Sequence, residues 1–234
     1  MKRNREIKND ALNALDGHWG WAILVCLIYG AIVGLITAPY SISNSLSTFA
    51  KLGMFGSGAA VATAGLTLAC ATIAGIGSLF AINPLSVGYE NSLKAFCKDG
   101  DIHTIGNMFK FGFAGGQYWR NLAGILLVSV FTFLWTLLFI VPGIIKSYAY
   151  AMTPYLLQDN PELGPNDARL KSIEIMRGHK GKLFGLDLSF IGWFLLGIIS
   201  LGVGFIWIAP YYRTTRAAFY CNLKEELEAK KAQE

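Results

Sequence analysis

One acidic side chain, Asp187, lies inside a long apolar stretch of the sequence. An ionised carboxylate within a membrane needs a cationic partner or a water-filled cavity. If the chain reverses direction near Val203, helix geometry brings Asp187 close to the level of Arg216. We therefore predict an Asp187–Arg216 pair. It either locks two helices together or forms a polar pocket for a lipid headgroup or a translocated proton.

Neighbouring side chains extend this candidate site. Ser189 and Tyr220 are predicted hydrogen-bond neighbours of the pair, and Arg213 and Lys146 are predicted supporting cations. No residue is assigned a catalytic role, because the sequence contains no HExxH, CxxC, GxSxG or Walker-type phosphate-binding motif. The sequence favours a protein that is not an enzyme. An enzymatic function remains an alternative only if its acids and bases lie at the membrane face.

The histidines and cysteines do not have the spacing of metal ligands or of a disulfide framework. The three histidines are scattered, and the four cysteines contain no closely spaced pair: His18, His103, His179, Cys26, Cys70, Cys97 and Cys221. We expect neither a metal nor another cofactor.

The composition indicates which elements must position these residues. Of 234 residues, 53% are hydrophobic and only 15% are charged, and the mean hydropathy is +0.43. A soluble domain carries about 25% charged residues. These values exclude an ordinary soluble enzyme, a disordered protein and a nucleic-acid binder, and they predict an all-α, polytopic membrane helical bundle.

Four apolar blocks could cross the membrane, and two of them are too long for a single helix. Each long block contains a break typical of a turn, at Pro142 and Gly143 in one and at Gly202 and Gly204 in the other. Kinked helices are the alternative, because Pro and Gly are common inside membrane helices. The blocks are 20–40, 59–82, 121–158 and 183–212.

The distribution of Lys and Arg favours turns over kinks. If both long blocks are hairpins, 18 of the 20 basic residues lie on one side, and only Lys51 and Lys146 lie on the other. Four kinked spans would place 13 on one side and 7 on the other. The positive-inside rule therefore predicts six transmembrane helices as three in–out–in hairpins in the cell membrane, with both termini cytoplasmic.

This topology divides one integral membrane domain, 1–234, into segments. Three hairpins are separated by cytoplasmic helices that carry apolar stripes and basic polar faces, which is typical of helices lying in an anionic membrane interface. The predicted segments are an amphipathic leader (1–18), hairpin 1 (19–97), an interfacial segment (98–120), hairpin 2 (121–158), an amphipathic helix (159–182), hairpin 3 (183–222) and a charged tail (223–234).

Two kinds of partner follow from these features. The basic inner rim predicts contact with membrane lipids, preferentially anionic ones, although charges that only set the topology are the alternative. The second apolar block, 59–82, is rich in Ala and Gly. Small residues allow close contact between helices, so this block is predicted to lie at the bundle centre or in a homo-oligomer interface.

Several motifs from Phe131 onward resemble those of a protein family. They include Phe133-Leu134-Trp135, Ile140-Val141-Pro142-Gly143-Ile144, Asp159-Asn160-Pro161-Glu162-Leu163, Gly178-His179-Lys180, and the run from Leu186 to Leu196. The pattern is similar to small multi-pass integral membrane proteins, mostly from Gram-positive bacteria, that are catalogued as a domain of unknown function. A more distant similarity is to the membrane portion of bacterial glycerophosphodiester phosphodiesterases. Membership implies a bacterial, multi-pass protein and supplies no activity.

Two functions remain open from the sequence. The absence of catalytic motifs and the basic inner rim favour a scaffold, a lipid-binding protein or an accessory factor. Three repeated hairpins and the interrupted helices would also suit a transporter or permease for a small solute or a lipid.

Overall fold

The computed structural model describes residues 2–54, 58–100, 104–113 and 116–232. Within these ranges every regular element is a helix, as the composition predicts. A single π-helical segment, Ser78–Ile82, lies between α3 and α4. The α-helices are α1 (Asn4–Leu15), α2 (Trp19–Lys51), α3 (Ala59–Gly77), α4 (Asn83–Asp99), α5 (Thr104–Phe113), α6 (Tyr118–Leu138), α7 (Ile140–Tyr150), α8 (Thr153–Asp159), α9 (Pro165–Ile175), α10 (Lys180–Leu188), α11 (Ile191–Ile199) and α12 (Phe205–Lys231).

The chain divides into two compact units. One unit comprises residues 28–83, and the other comprises residues 1–27 together with 84–234. The smaller unit is the apolar part of hairpin 1, where α2 and α3 run side by side. The Thr67 hydroxyl donates to the Ser43 carbonyl oxygen at 3.0 Å, and a Cβ on Gly77 would lie 2.7 Å from Ile36. These contacts pair residues in antiparallel order.

Hairpin 2 reverses direction at a single extended residue. Phe139, with φ −157° and ψ 141°, separates α6 from α7. The predicted turn residues Pro142 and Gly143 lie instead in the first turn of α7. This corrects the predicted position by three residues: proline suits the start of a helix, where its missing N–H costs no hydrogen bond. Gly143 lets α7 approach α6, since a Cβ there would lie 2.7 Å from the Cα of Thr136.

Hairpin 3 reverses direction where the glycine pattern places the turn. Leu201 and Gly202 both have positive φ, 55° and 91°, and Gly204 immediately precedes α12. The arms pack through aromatic side chains: the Phe194 and Phe205 ring centroids are 6.2 Å apart. Gly202 is therefore a turn residue in the strict sense, because only glycine adopts such a φ without strain.

Two helices outside the hairpins pack against them within the larger unit. The leader helix α1 contacts α10 and α12 and buries Ile7, Ala11 and Leu15 completely. The helix α9 packs against α6, α7 and α8. Around them lies a core of buried aromatic side chains, including Tyr150 and Phe219.

Four helical stretches are long and apolar enough to cross a membrane: Trp19–Lys51, Ala59–Lys98, Tyr118–Leu138 and Lys180–Ile199. They coincide with the first two predicted blocks and with the first arms of hairpins 2 and 3. The return arms are divided differently. The return arm of hairpin 2 is broken at Ala151 and Met152 into α7 and α8, and that of hairpin 3 is the first part of α12.

Candidate functional site

A buried carboxylate, Asp159, lies at the centre of the main polar cluster of the larger unit. It is the last residue of α8, and its two oxygens accept hydrogen bonds from three side chains on two other helices. Lys94 of α4 binds Oδ1, while Tyr220 and Lys224 of α12 each donate to Oδ2 at 2.8 Å. One carboxylate thus ties together α4, α8 and α12.

The electrostatics of this cluster keep Asp159 ionised. Burial would raise the pKa of the Asp159 carboxyl, but the hydrogen bonds from Lys224, Lys94 and Tyr220 outweigh burial and hold the pKa below its usual value. The same contact raises the pKa of Lys224, chiefly through its hydrogen bond to Asp159. An acid already committed to three donors is a structural link and a poor general base.

Two clefts open on either side of Tyr220 and Lys224. The first, of about 380 Å³, lies between α4, α8 and α12, and Phe111 of α5 contributes to its wall. The second, of about 580 Å³, lies between α8, α9 and α12. Side chains of both charges line the clefts. The first has Lys94, Lys98 and Lys224 beside Asp159, Glu225 and Glu228, and the second has Lys171, Arg177 and Lys224 beside Glu174 and Glu228.

A second buried carboxylate, Glu90, extends the polar layer along α4. The Tyr155 hydroxyl donates to its Oε2 at 2.5 Å, and Arg213 donates to its Oε1 at 2.6 Å. The Tyr155 ring stacks on the Tyr220 ring, with centroids 4.8 Å apart and planes 15° apart. The Glu90 and Asp159 clusters therefore form one continuous polar layer across α4, α8 and α12.

Asp187 and Arg216 are connected through a tyrosine. The Tyr212 hydroxyl donates to the Asp187 carboxylate at 3.1 Å, and Arg216 donates to the Tyr212 oxygen at 3.3 Å. Within the part of the chain that the structure describes, the two charged groups form no direct ion pair. Arg216 also lies within electrostatic range of Glu90, which joins it to the polar layer. The two predicted roles of these residues, locking two helices together or forming a polar pocket, both stay predictions.

The other residues predicted around Asp187 occupy different places. Arg213 binds Glu90 and Tyr220 binds Asp159, so both belong to the polar layer. The Ser189 hydroxyl donates to the Leu186 carbonyl oxygen of its own helix. The Lys146 ammonium lies 4.7 Å from the Trp135 ring centroid, across the tip of hairpin 2.

A buried guanidinium, Arg169 of α9, has aromatic and neutral partners. It lies 4.1 Å from the Phe131 ring centroid, and it donates to the Asn166 side-chain oxygen at 2.7 Å and to the Tyr150 hydroxyl at 3.4 Å. These contacts fix α9 against hairpin 2. No pattern in the sequence indicates these contacts, because each partner is a residue type that is ordinary in a membrane helix or at the start of a helix.

Sequence reasoning also missed Glu90, Lys94 and Asp159. Each lies at the edge of an apolar block, where a charged residue is normal, and Lys94 and Asp159 are 65 residues apart. Among the described residues no group of three His, Cys, Asp or Glu side chains could hold a metal ion. The four cysteines are free.

The fold and the apolar helices define an all-helical protein of the membrane type. Comparison with known proteins adds the family: residues 111–227, half of the chain, match the family described as a protein of unknown function (DUF975), and the chain belongs to it. The match covers α6 to α11 and most of α12. It includes Asp159 of the polar layer and the relay residues Asp187 and Tyr212.

No curated protein and no solved structure matches the chain. Nothing in these comparisons supports the expected similarity to glycerophosphodiester phosphodiesterases or a restriction to Gram-positive bacteria.

Proposed function

We propose that this protein is a non-enzymatic, multi-pass protein of the bacterial cell membrane that binds anionic lipid headgroups on its cytoplasmic side and acts as a scaffold or accessory factor. The observation that carries this proposal is the pair of clefts flanking Lys224, each of which has an exposed cation, Lys98 or Arg177, at its rim. The charge distribution supports the proposed orientation, in which the clefts face the cytoplasm, because 18 of 20 basic residues would lie in cytoplasmic segments. Six crossings in three in–out–in hairpins are the topology that this distribution predicts.

The clefts have cations available for a phosphate. Lys98 and Arg177 are exposed at the rims of the first and second cleft, and among the described residues neither has an acidic partner. Apolar side chains such as Phe111 and Leu227 lie beside them. A cationic rim above an apolar wall suits an anionic headgroup with the beginning of its acyl chains.

The polar layer supports a scaffold role. Its acids are already neutralised by neighbouring cations, so Glu90 and Asp159 serve to hold helices in fixed positions. A transport path needs membrane-embedded polar groups that can exchange partners. A homo-oligomer through the small-residue helix α3 is part of the same proposal, since such a helix permits close contact with a second copy.

The experiment is lipid retention measured by native mass spectrometry after purification from mixed anionic and zwitterionic lipid. We expect preferential retention of anionic lipid, reduced in Lys98→Gln and in Arg177→Gln. The matched control is Lys51→Gln, which removes a cation from the opposite end of hairpin 1 and should leave retention unchanged. Equal retention of both lipid classes would mean that the basic residues only set the topology. Flux of a solute across the membrane of proteoliposomes would favour the transporter.

A further inference from the structure

The tips of hairpins 2 and 3 expose apolar side chains and contain no charged residue. Between positions 121 and 145, and again between 188 and 212, the sequence has no Asp, Glu, Lys or Arg. At the first tip Leu137 is 74% exposed and Ile140 70%; at the second tip Leu201 is 95% exposed. A loop that faced water outside the cell would place all these side chains against water, which opposes the hydrophobic effect.

At the tip of hairpin 3 the backbone N–H groups are satisfied, whereas the carbonyl oxygens of Ile199 and Leu201 accept no backbone hydrogen bond from the described residues. Every backbone N–H from Ser200 to Ile208 has an acceptor within the tip or the adjoining turns. The Gly204 N–H, which would otherwise be an orphan at the start of α12, donates to the Ser200 hydroxyl at 2.8 Å. Each polar backbone group that is satisfied internally lowers the cost of placing a turn in hydrocarbon. At the tip of hairpin 2, the Phe139 N–H donates to the Trp135 carbonyl oxygen and Pro142 has no N–H to satisfy, which leaves the N–H groups of Ile140 and Val141 without a backbone acceptor among the described residues.

The depth of hairpin 2 can be measured from α9. Arg169 lies 4.1 Å from the Phe131 ring, and in the same first turns of α9 Asn166 and Asp167 are exposed. From Phe131 to the tip at Phe139 the helix rises by about 12 Å. If the tip reached the outer surface of a hydrocarbon layer about 30 Å thick, exposed Asp167 would lie deep inside that layer.

The length of α6 does not contradict this depth. With 21 residues, α6 could cross a bilayer by itself. Its first turns, however, contain the buried residues Asn121, Leu122 and Gly124. Gly124 packs against Leu157 of α8, so this half of α6 belongs to the protein core. Only the half beyond it is left for lipid.

Hairpin 3 gives the same depth from an independent contact. Lys8 of the leader helix α1 donates to the Ser189 carbonyl oxygen at 3.2 Å, and its ammonium lies 4.2 Å from the Phe190 ring centroid. The rise from Phe190 to the turn at Ser200 is about 15 Å. A polar leader helix at the level of Phe190 therefore leaves the tip about halfway across the bilayer.

We infer that hairpins 2 and 3 are re-entrant wedges: both tips end inside the hydrocarbon, and their exposed side chains contact the acyl chains of the cytoplasmic leaflet. Hairpin 1 then provides the two crossings of the chain. This inference rests on the proposed membrane insertion from the cytoplasmic side. Two re-entrant hairpins replace four of the six predicted crossings. The basic segments that were predicted to be cytoplasmic remain on the cytoplasmic side. Lys146, about 10 Å from the tip of hairpin 2 along α7, can extend its ammonium toward the inner interface.

The test uses single cysteines in the full-length chain after its four native cysteines are replaced by Ala. Leu138→Cys and Leu201→Cys report the two tips. Leu52→Cys, at the far end of α2, and Arg177→Cys, at the inner clefts, are the controls. Each variant is treated with a membrane-impermeant maleimide, first on intact cells and then on inverted vesicles, and a denatured sample shows that every thiol can react.

We expect the tips to label from neither side, at less than about one tenth of the controls, because no aqueous phase reaches them. A nitroxide on Leu201→Cys should be relaxed by oxygen more strongly than by a water-soluble nickel complex, and Val203→Cys repeats this measurement if the first variant fails to fold. Labelling of the tips from outside to the extent of Leu52→Cys would overturn the inference and restore six crossings. Labelling of Arg177→Cys only from outside would overturn the proposed orientation, while unlabelled tips would still support the wedges.

Discussion

Residues 28–83 and the larger unit both contain long apolar helices, but different forces hold them together. In residues 28–83 few side chains are buried, among them Ser43, Ser47 and Ala74. The larger unit buries whole aromatic side chains such as Tyr89 and Phe219, and it holds two carboxylates, each 15% exposed, against cations of other helices. One region resembles a pair of lipid-exposed helices, and the other resembles the core of a globular domain.

The difference shows where the stability of this protein resides. Between helices that are surrounded by lipid, small residues and hydroxyls permit close packing, and burial of apolar surface adds little. Around Asp159 a charged layer joins three helices, and loss of the carboxylate would leave Lys94, which is 14% exposed, without an anion. Substitutions in the larger unit should therefore change stability much more than those in residues 28–83.

The largest loss is expected from Asp159→Asn. This change leaves Lys94, which is 14% exposed, without its anion, and it should lower the free energy of unfolding by about 2–4 kcal/mol, since Lys224 can turn to solvent. Thermal unfolding in detergent is the measurement. Glu6→Gln, which removes a surface partner of Arg3, is the matched control and should change nothing measurable. Equal melting temperatures for the two variants would refute a structural role for Asp159.

The same cluster predicts a dependence of stability on pH. Because the folded-state pKa of Asp159 is depressed, its ionised form stabilises the fold at pH values above the ordinary aspartate pKa of about 3.9. That contribution is lost as the pH falls through the lower folded-state pKa. Melting temperatures of the wild type should therefore decline on acidification below about pH 4 more steeply than those of Asp159→Asn. Parallel curves would mean that Asp159 is not the responsible group.

A smaller loss is expected from Gly88→Ala. Gly88 of α4 meets α5 so closely that a Cβ would overlap the Met108 carbonyl oxygen and lie 2.8 Å from the Gly112 nitrogen. Overpacking of this crossing should cost about 1–3 kcal/mol. Gly75→Ala in α3 is the matched control, because nothing lies within 4 Å of a Cβ there. If Gly75→Ala were the more destabilising of the two, the contrast between the regions would be wrong, and a second copy packed on α3 would explain it.

The smallest effect concerns the relay between Asp187 and Arg216. Tyr212→Phe removes both of its hydrogen bonds and should cost about 1–2 kcal/mol. Asp187→Asn retains an acceptor for the tyrosine and should cost less. Unfolding in detergent would rank the variants. The reverse order would show that Asp187 interacts directly with a cation, as the sequence predicts.

Much of the fold could be read from local pattern. Helix content, the four apolar blocks and the turn at Gly202 all follow from periodicity, hydropathy and the φ that only glycine adopts freely. The sequence pattern misplaces the turn of hairpin 2 at Pro142, because proline is well tolerated in the first turn of a helix and does not have to end one. The sequence predicts a direct Asp187–Arg216 pair, whereas in the structure each of these two residues hydrogen-bonds to Tyr212, which no local pattern indicates.

The sequence by itself determined that this chain is helical and apolar, since composition and spacing are enough for these properties, and it predicts that most of the positive charge lies on one side of the membrane. Only the tertiary structure decided which charges meet. Lys94, Asp159 and Lys224 come from three helices far apart in the chain, and no local pattern relates them. The proposed depth of hairpin 2 in the membrane also depends on residues far apart in the chain. It is inferred from the contact between Phe131 and Arg169, which belongs to another helix.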